Sequence, residues 1–266
     1  MKRGLGRNET ALFAYIQMRR LTLIRTGELV QPLRLSAAQE RKLLSRLSNA
    51  GLIARVWRGL YLVPPRIPLG AKWSPGEAQA LNALMEEKKG RYQICGPNAF
   101  NRYGYDEQIP TRVYAYNNRL SGERMIGSVS LLLIKVADAR LGDTEAFESA
   151  DGQTAVYSSR IRTLVDAIYD WSRFDSLPRG YNWIKADLAA GRIEPYDLVR
   201  VTLRYGDTGT TRRIGALLER EGVSGSLLKK LNRALKPTAG LIPWIPTTPK
   251  RGTVNRRWGI LFNEHL

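Results

Sequence analysis

Three helices are predicted at the start of the chain from the spacing of its apolar residues. In the first, over residues 8–19, apolar side chains recur every three or four positions, as on one side of a helix. Thr26 is expected to cap a short second helix. The third helix begins at Ser36, where Gln39 completes a capping box, and ends at Gly51.

The third helix has two different faces when its residues are placed at about 100° per residue. One arc is apolar and is expected to pack on the two preceding helices: Leu43, Leu44, Leu47 and Ala50. The opposite arc combines basic side chains with small and polar ones: Ala38, Arg41, Lys42, Ser45 and Asn49, with Arg46 at its margin. These residue types can enter the DNA major groove, where Arg or Lys reads guanine and Asn reads adenine. An ordinary solvated helix face would have a similar composition.

Two short strands are predicted directly after this helix, joined by the dipeptide Arg58-Gly59 and ended by Pro64. Arg55 and Arg58 bring positive charge to the hairpin, which suits backbone phosphates or the minor groove. Arg34, which precedes the third helix, completes the predicted set of DNA contacts. Three helices followed by a basic hairpin are typical of a winged helix-turn-helix.

The rest of the chain is predicted to form a larger mixed domain. A Pro-rich stretch places a boundary near residue 70, so the predicted domains are 1–70, a winged helix-turn-helix, and 71–266. Ser74 is expected to cap the next helix. Strands are predicted at residues 92–95, 111–116, 127–136 and 256–263, the last returning to the sheet. Helices are predicted at residues 159–171, 183–190, 195–205, 211–221 and 226–235. The predicted fold class is α+β.

Net charge also distinguishes the first segment of the chain from the rest. The chain carries 42 Lys and Arg against 24 Asp and Glu, a formal charge of +18. Residues 1–70 hold 13 basic and 3 acidic residues (+10), and the other 196 residues hold 29 and 21 (+8). Per residue the first segment is several-fold more positive, as expected of a module that binds a polyanion. Solubility alone does not require such an imbalance, so nucleic acid is the expected partner.

Two further basic runs lie near the end of the chain. One follows helical spacing and comprises Lys229, Lys230, Arg233 and Lys236. The other comprises Lys250, Arg251, Arg256 and Arg257. Each run could form a second surface for a polyanion or an ordinary solvated positive face. A glycine within the helix at 211–221, Gly215, costs about 1 kcal/mol relative to Ala, which predicts a close contact with another helix.

Residues suited to catalysis are sparse. The only histidine is His265, and the only cysteine is Cys95, which is expected to be a small buried hydrophobe. These counts remove His-based triads, His metal clusters and Cys-rich zinc sites. Asp166 and Asp170 are spaced i,i+4, but no motif supplies the further acids of a two-metal site. The chain is therefore predicted not to be an enzyme and to need no metal or cofactor.

The cytoplasm is the expected location. No stretch approaches the roughly 18 consecutive apolar residues of a transmembrane helix. The first residues, MKRGLGRNETALF, lack the apolar core of a secretory signal. A single cysteine excludes an intrachain disulfide, which fits a reducing compartment.

An ordered series of motifs gives the chain a resemblance to a known family. The motifs are LLSRLSNAGLIARVWRGLYLVPP at 43–65, YQICGPNA at 92–99, TLVDAI at 163–168, RIGALLE at 213–219 and RWGILFN at 257–263. Taken in order, they resemble the AbiEi family of antitoxins from bacterial type IV toxin–antitoxin systems, over most of the chain. None of them is a catalytic signature.

This resemblance implies a bifunctional protein. The N-terminal domain would bind inverted repeats in its own promoter and repress the operon cooperatively, the free protein being a monomer or weak oligomer. The C-terminal domain would counteract a nucleotidyltransferase toxin of the AbiEii type, with or without a stable complex. A strongly basic C-terminal domain departs from the family pattern. The alternative is a winged-helix regulator whose C-terminal domain senses a ligand or a protein and has no toxin partner.

Overall fold

The computed structural model describes residues 6–67, 72–149, 152–236 and 240–264. Contacts divide the chain into two compact units: unit 1 comprises Met1–Gln93, Thr111–Leu141 and Ala146–Val156, and unit 2 comprises Ile94–Pro110, Gly142–Glu145 and Tyr157–Leu266. The predicted domain boundary at residue 70 lies outside the described residues. Within the ranges given above, no helix is long and apolar enough to cross a membrane.

Unit 1 begins with two helices and a small antiparallel sheet. These elements are α1 (Arg7–Arg19), β1 (Leu23–Arg25), α2 (Ala37–Asn49), β2 (Ala54–Trp57) and β3 (Leu60–Leu62). The strand order is β1-β3-β2, so β3 lies in the middle. Apolar side chains from α1, β1, α2 and β3 form one buried cluster. This packing confirms the first and third predicted helices and the hairpin.

The short second helix predicted from Thr26 is wrong. Residues 26–34 form a series of turns, and β1 precedes them. The carboxylate of Glu40 on α2 accepts hydrogen bonds from the backbone N–H groups of Gly27, at 2.7 Å, and Leu29, at 2.8 Å. Glu40 is fully buried. Because buried backbone donors need partners, this long-range pairing fixes the conformation of the turns, and no local pattern encodes it.

Unit 1 continues with α3 (Glu77–Glu87) and then enters a six-stranded sheet. The strands of this sheet are β4 (Tyr92–Ile94), β5 (Val113–Asn117), β6 (Gly122–Ile126), β7 (Val129–Lys135), β8 (Thr144–Glu148) and β9 (Thr154–Ser158). Their order is β6-β7-β5-β4-β9-β8. β7 pairs in parallel with β5 and antiparallel with β6. The division between the two units falls within β4, β8 and β9.

The strands predicted at 92–95, 111–116 and 127–136 are confirmed as β4, β5 and β7, whereas the pattern did not indicate β6, β8 and β9. The start predicted for α3 is wrong, because its N-cap is Gly76. The Ser74 hydroxyl instead accepts a hydrogen bond from the backbone N–H of Ser128, at 2.9 Å. A partner distant in sequence has therefore replaced the local cap.

Unit 2 is mainly helical. Its helices are α4 (Pro97–Arg102), α5 (Arg160–Tyr169), α6 (Trp171–Phe174), α7 (Arg179–Ala189), α8 (Pro195–Tyr205), α9 (Thr208–Arg220) and α10 (Gly225–Ala234). Side chains of α5 and α7 to α10 share one buried cluster, which also includes Trp244 and Trp258. The helices predicted between residues 159 and 235 are confirmed, with ends that shift by at most four residues.

Of the final strand predicted at 256–263, only residues 260–262 are confirmed as a strand, and they do not return to the six-stranded sheet. Unit 2 ends in a separate small sheet made of β10 (Ile242–Pro243), β11 (Thr253–Asn255) and β12 (Ile260–Phe262), in the order β10-β12-β11. A turn separates β11 from β12. There Gly259 adopts a left-handed conformation, with φ of +60°, which interrupts extended backbone.

Candidate nucleic-acid interface

Every side chain predicted to contact DNA is exposed. The set comprises Arg34, Ala38, Arg41, Lys42, Ser45, Arg46, Asn49, Arg55 and Arg58. On the opposite side of α2 the leucines at positions 43, 44 and 47 are buried, as predicted. Ala50 is exposed, contrary to the prediction, because α2 ends at Asn49 and Ala50 is the C-cap. The exposed set on α2 and the following hairpin is called the α2–hairpin surface below.

The cations of this surface differ in how they are paired. Arg46 forms an ion pair with Glu9 of α1, with Nε and Oε1 3.0 Å apart. Arg41, Lys42 and Arg58 form no ion pair with any described acidic residue. Unpaired surface cations are available to phosphates, whereas Arg46 would have to exchange its carboxylate for a nucleic-acid partner.

The β2–β3 hairpin presents Arg58 at its tip. Gly59 has φ of +77°, the left-handed conformation that a tight turn of this kind requires. The carbonyl of Gly59 accepts a hydrogen bond from Thr26 N–H, at 2.8 Å, which ties the hairpin to the turns before α2. Arg55 and Trp57 point away from the core, since the buried residues of β2 are Ala54 and Val56.

Two clefts connect the end of α2 with the hairpin. The first, of about 490 Å³, is lined by Asn49 of α2 and Arg55 of β2, among other residues. The second, of about 400 Å³, is called the hairpin cleft and is lined by Arg55, Val56, Trp57, Arg58, Arg124 and Met125. Arg55 belongs to both clefts, so Asn49 and Arg58 lie along one continuous stretch of surface.

Arg124 of β6 is a residue of this surface that the local sequence does not mark. Its guanidinium lies over the Trp57 indole, with Cζ 4.2 Å from a ring centroid, and the Lys88 ammonium lies 3.2 Å from a centroid of the same indole. Cations over an aromatic face gain from its quadrupole and are held in position. Two cations that lie outside the hairpin in sequence, one on β6 and one after α3, are therefore held against it.

The environment of Arg124 is poor in compensating groups. Its Nε is buried, and no described residue supplies a hydrogen-bond acceptor for it. Burial lowers the pKa of the Arg124 guanidinium, because the charged form loses hydration. A partly buried cation without a carboxylate is the kind of group that an anion would stabilise.

The second predicted basic surface is also exposed: Lys229, Lys230 and Arg233 on α10, and Lys236 just after its end. Leu228 and Leu231 form the buried side of the same helix. Lys230 lies over the ring of Tyr196, with its Nζ 5.2 Å from the centroid. The sequence pattern of this helix therefore gave the correct exposed face.

The acidic pair considered for metal chemistry is otherwise engaged. Asp166 is buried and accepts from Nε of Arg162 at 2.9 Å and 3.0 Å, and Asp170 pairs with Arg173 at 3.0 Å. Cys95 is buried, and His265 lies outside the described residues. Within the described ranges, no three His, Cys, Asp or Glu side chains are grouped so that they could hold a metal ion.

The fold class of the chain is a mixed α+β architecture. No family model and no curated protein matches the sequence. Among solved structures, the chain is similar to the crystal structure of the Rv2827c protein from Mycobacterium tuberculosis, with a TM-score of 0.58 and 14% sequence identity. The similarity covers 97% of this chain and 92% of that protein. At such low identity the similarity concerns the fold alone.

Proposed function

We propose that this chain is a DNA-binding antitoxin that represses its own operon and counteracts a nucleotidyltransferase toxin. In this proposal the first 70 residues form a winged helix-turn-helix, in which α2 is the recognition helix and the β2–β3 hairpin is the wing. The remainder of the chain carries the antitoxin activity. Double-stranded DNA of the protein's own promoter is the expected ligand, and no catalytic step is required.

The observation that carries the DNA-binding half is the composition of the α2–hairpin surface. Arg41 and Lys42 are exposed on a helix whose other face is buried, and neither is neutralised by a described carboxylate. A basic helix beside a basic hairpin has the charge needed to place side chains in the major groove and on the flanking phosphates. Arg124 extends the positive surface beyond the hairpin tip.

The short segment between α1 and α2 is compatible with this role. In the proposal, the turns of residues 26–34 take the place of the helix that usually precedes a recognition helix, and Glu40 holds them to α2. Strand β1 pairs with β3 of the hairpin, at Leu23–Leu62 and Arg25–Leu60, which braces the wing from behind. A rigid base of this kind keeps Arg58 in a defined place relative to α2.

The antitoxin half rests on the ordered motifs that resemble AbiEi antitoxins. The neighbouring reading frame distinguishes an antitoxin from the alternative, a regulator that senses a ligand or a protein. A nucleotidyltransferase gene directly beside this one supports the antitoxin, and its absence supports the sensor. A cationic cleft in unit 2, described below, is the feature that favours a sensor of an anionic ligand.

A variant with Arg41→Ala and Lys42→Ala tests the proposal directly. We expect it to lose most of its affinity for the upstream region of its own gene, measured by footprinting and fluorescence anisotropy, because two phosphate- or base-contacting cations are removed. Rescue of cells from the toxin should be unchanged. The matched control, Lys229→Ala with Arg233→Ala, removes the same charge from exposed positions on α10 and should bind the promoter normally.

Two outcomes would contradict the proposal. If the α10 control loses promoter affinity as strongly as the α2 variant, binding depends on overall charge and not on the α2–hairpin surface. If the α2 variant binds normally but no longer rescues cells, the assignment of the two activities to the two parts of the chain is wrong.

A further inference from the structure

A second cationic site lies in unit 2, remote in sequence from the α2–hairpin surface. It is a cleft of about 230 Å³, called the Arg212 cleft, which is lined by Arg212, Asn232, Leu235, Lys236, Arg256, Arg257, Trp258 and Gly259. Four of these residues are cations and none is acidic. The fold thus brings the basic end of α10 together with the basic pair before Trp258, two runs that are separate in the sequence.

Arg212 is the buried centre of this cleft, since it is only 6% exposed. Its guanidinium donates three hydrogen bonds to backbone carbonyls: from Nε to Trp258 at 2.6 Å, and from Nη2 to Gly240 at 2.5 Å and to Gly259 at 2.6 Å. These neutral acceptors orient the planar group but do not cancel its charge. No described carboxylate pairs with Arg212.

The backbone is shaped to admit this guanidinium. Gly259 has φ of +60°, and a Cβ atom there would lie 1.8 Å from Nη2 of Arg212. Any side chain at position 259 would therefore displace the guanidinium. The arrangement requires a specific residue to hold a cation in place, which distinguishes it from a chance accumulation of surface lysines.

Charge within the cleft remains largely uncompensated. Arg257 is neutralised by Glu219, with Nη1 and Oε1 2.6 Å apart. Lys236 and Arg256 are exposed at the rim and form no ion pair with a described acidic residue. Burial, together with the charge of neighbouring Arg213, lowers the pKa of the Arg212 guanidinium. A buried cation is costly without a counter-charge. An anion in the cleft would be stabilised by three cations that lack an ion-pair partner among the described residues: Arg212, Lys236 and Arg256.

We propose that the Arg212 cleft is an anion site that binds a phosphate group. Arg212 is held as a planar donor at the base, and Lys236 and Arg256 supply rim cations. The three carbonyl contacts occupy the N–H of Nε and both N–H groups of Nη2, so the two N–H groups of Nη1 remain to donate to phosphate oxygens. The phosphate could belong to a nucleic-acid backbone or to a small molecule such as a nucleotide, because the chemistry of recognition is the same.

The experiment compares two full-length variants that lose the same charge. The cleft variant carries Lys236→Ala and Arg256→Ala, both at exposed positions whose removal leaves the core intact. The control carries Lys229→Ala and Arg233→Ala, exposed cations on α10 that do not line the cleft. Titration calorimetry with inorganic pyrophosphate and anisotropy with a duplex of unrelated sequence, at several salt concentrations, are the two measurements.

For a site that takes free phosphates, the cleft variant should bind pyrophosphate about tenfold or more weakly than the wild type, and the control should match the wild type. If the phosphate belongs to DNA, the cleft variant should also lower the salt slope of duplex binding by about two. A change in pyrophosphate binding alone identifies a small-molecule ligand, and a change in the slope alone identifies nucleic acid.

The proposal is overturned if neither probe distinguishes the cleft variant from the control. Equal losses in both variants would show that only the total charge of unit 2 matters. Because Arg41 and Lys42 are intact in every variant, failure here leaves the α2–hairpin proposal untouched.

Discussion

The indole of Trp258 occupies the space that a side chain at Gly215 would need. A Cβ atom added at Gly215 on α9 would lie 2.2 Å from Cζ3 of Trp258. The predicted close contact at this glycine is therefore confirmed, but its partner is a tryptophan in the turn before β12 and not a helix. Trp258 is 1% exposed and donates from its indole nitrogen to Glu219, also on α9, at 3.0 Å.

The Gly215→Ala variant tests whether helix propensity or packing against Trp258 has the larger effect on the stability of the protein. Propensity alone predicts that this change stabilises the protein by about 1 kcal/mol. The contact with Trp258 predicts the opposite, a loss of about 1–3 kcal/mol from overpacking, because a large buried ring cannot move aside freely. Chemical denaturation measures whether the free energy of unfolding rises or falls. Gly225→Ala is the control, since nothing lies within 4 Å of its added Cβ, and it should be neutral or stabilising.

Glu40→Ala should destabilise unit 1 strongly. The change leaves the N–H groups of Gly27 and Leu29 without their carboxylate acceptor, and at least about 2 kcal/mol should be lost from the free energy of unfolding. Glu28→Ala removes an exposed carboxylate that accepts from Arg25 N–H at 2.8 Å, and should cost far less. Equal effects would mean that the buried carboxylate does not hold the turns.

Arg58→Ala and Arg124→Ala should each lower the slope of log affinity against log salt for promoter DNA by about one. In the proposed complex each change takes away one cation from the phosphate backbone, so one fewer counterion is released on binding. Arg112→Ala is the matched control, since Arg112 is already paired with Glu123 at 2.6 Å and should leave the slope unchanged. An unchanged slope in Arg124→Ala would exclude β6 from the interface.

Glu219 should make stability depend on acid pH. Burial raises its pKa, but hydrogen bonds from Asn255, Arg257 and Trp258 outweigh burial and hold the pKa below its usual value of 4.5. A depressed carboxyl pKa contributes stability that is present above pH 4.5 and is lost as the pH falls through the folded-state pKa. Glu219→Gln should therefore destabilise the protein at pH 7 and much less at pH 3.

Urea denaturation at both pH values measures this difference. Exposed Glu107 offers the control, and Glu107→Gln should change the unfolding free energy little at either pH. A constant effect of Glu219→Gln between pH 7 and pH 3 would show that the charge of Glu219 is not what its neighbours stabilise.

Local signals predicted much of the secondary structure. Helix α8 has the predicted bounds, because Pro195 suits the first helical turn and Gly206 follows the last residue. Helix α2 begins after Ser36, whose hydroxyl accepts from Gln39 N–H at 3.2 Å in the predicted capping box. Each of these signals lies within one turn of the helix end that it marks. The sequence alone is therefore sufficient to recognise them.

The sequence pattern led to wrong predictions where a local and a distant hydrogen-bond partner compete. Ser74 has the residues of a helix cap around it but bonds to Ser128, and the segment after Thr26 has a capping residue but is held in turns by Glu40. In each case a hydrogen-bond partner from elsewhere in unit 1 supplied what the local motif would have supplied. A hydrogen bond to a local partner and one to a distant partner have similar free energies, so tertiary packing decides which of the two forms.

The sequence by itself determined which side chains are exposed on α2 and α10, because helical periodicity sorts apolar from polar residues within a single element. It also determined the excess of positive charge. Only the tertiary structure decided which cations meet: Arg124 with the hairpin at Trp57, and Arg256 with the end of α10 in the Arg212 cleft. Such meetings depend on how separate elements pack, and no periodicity within one element records that.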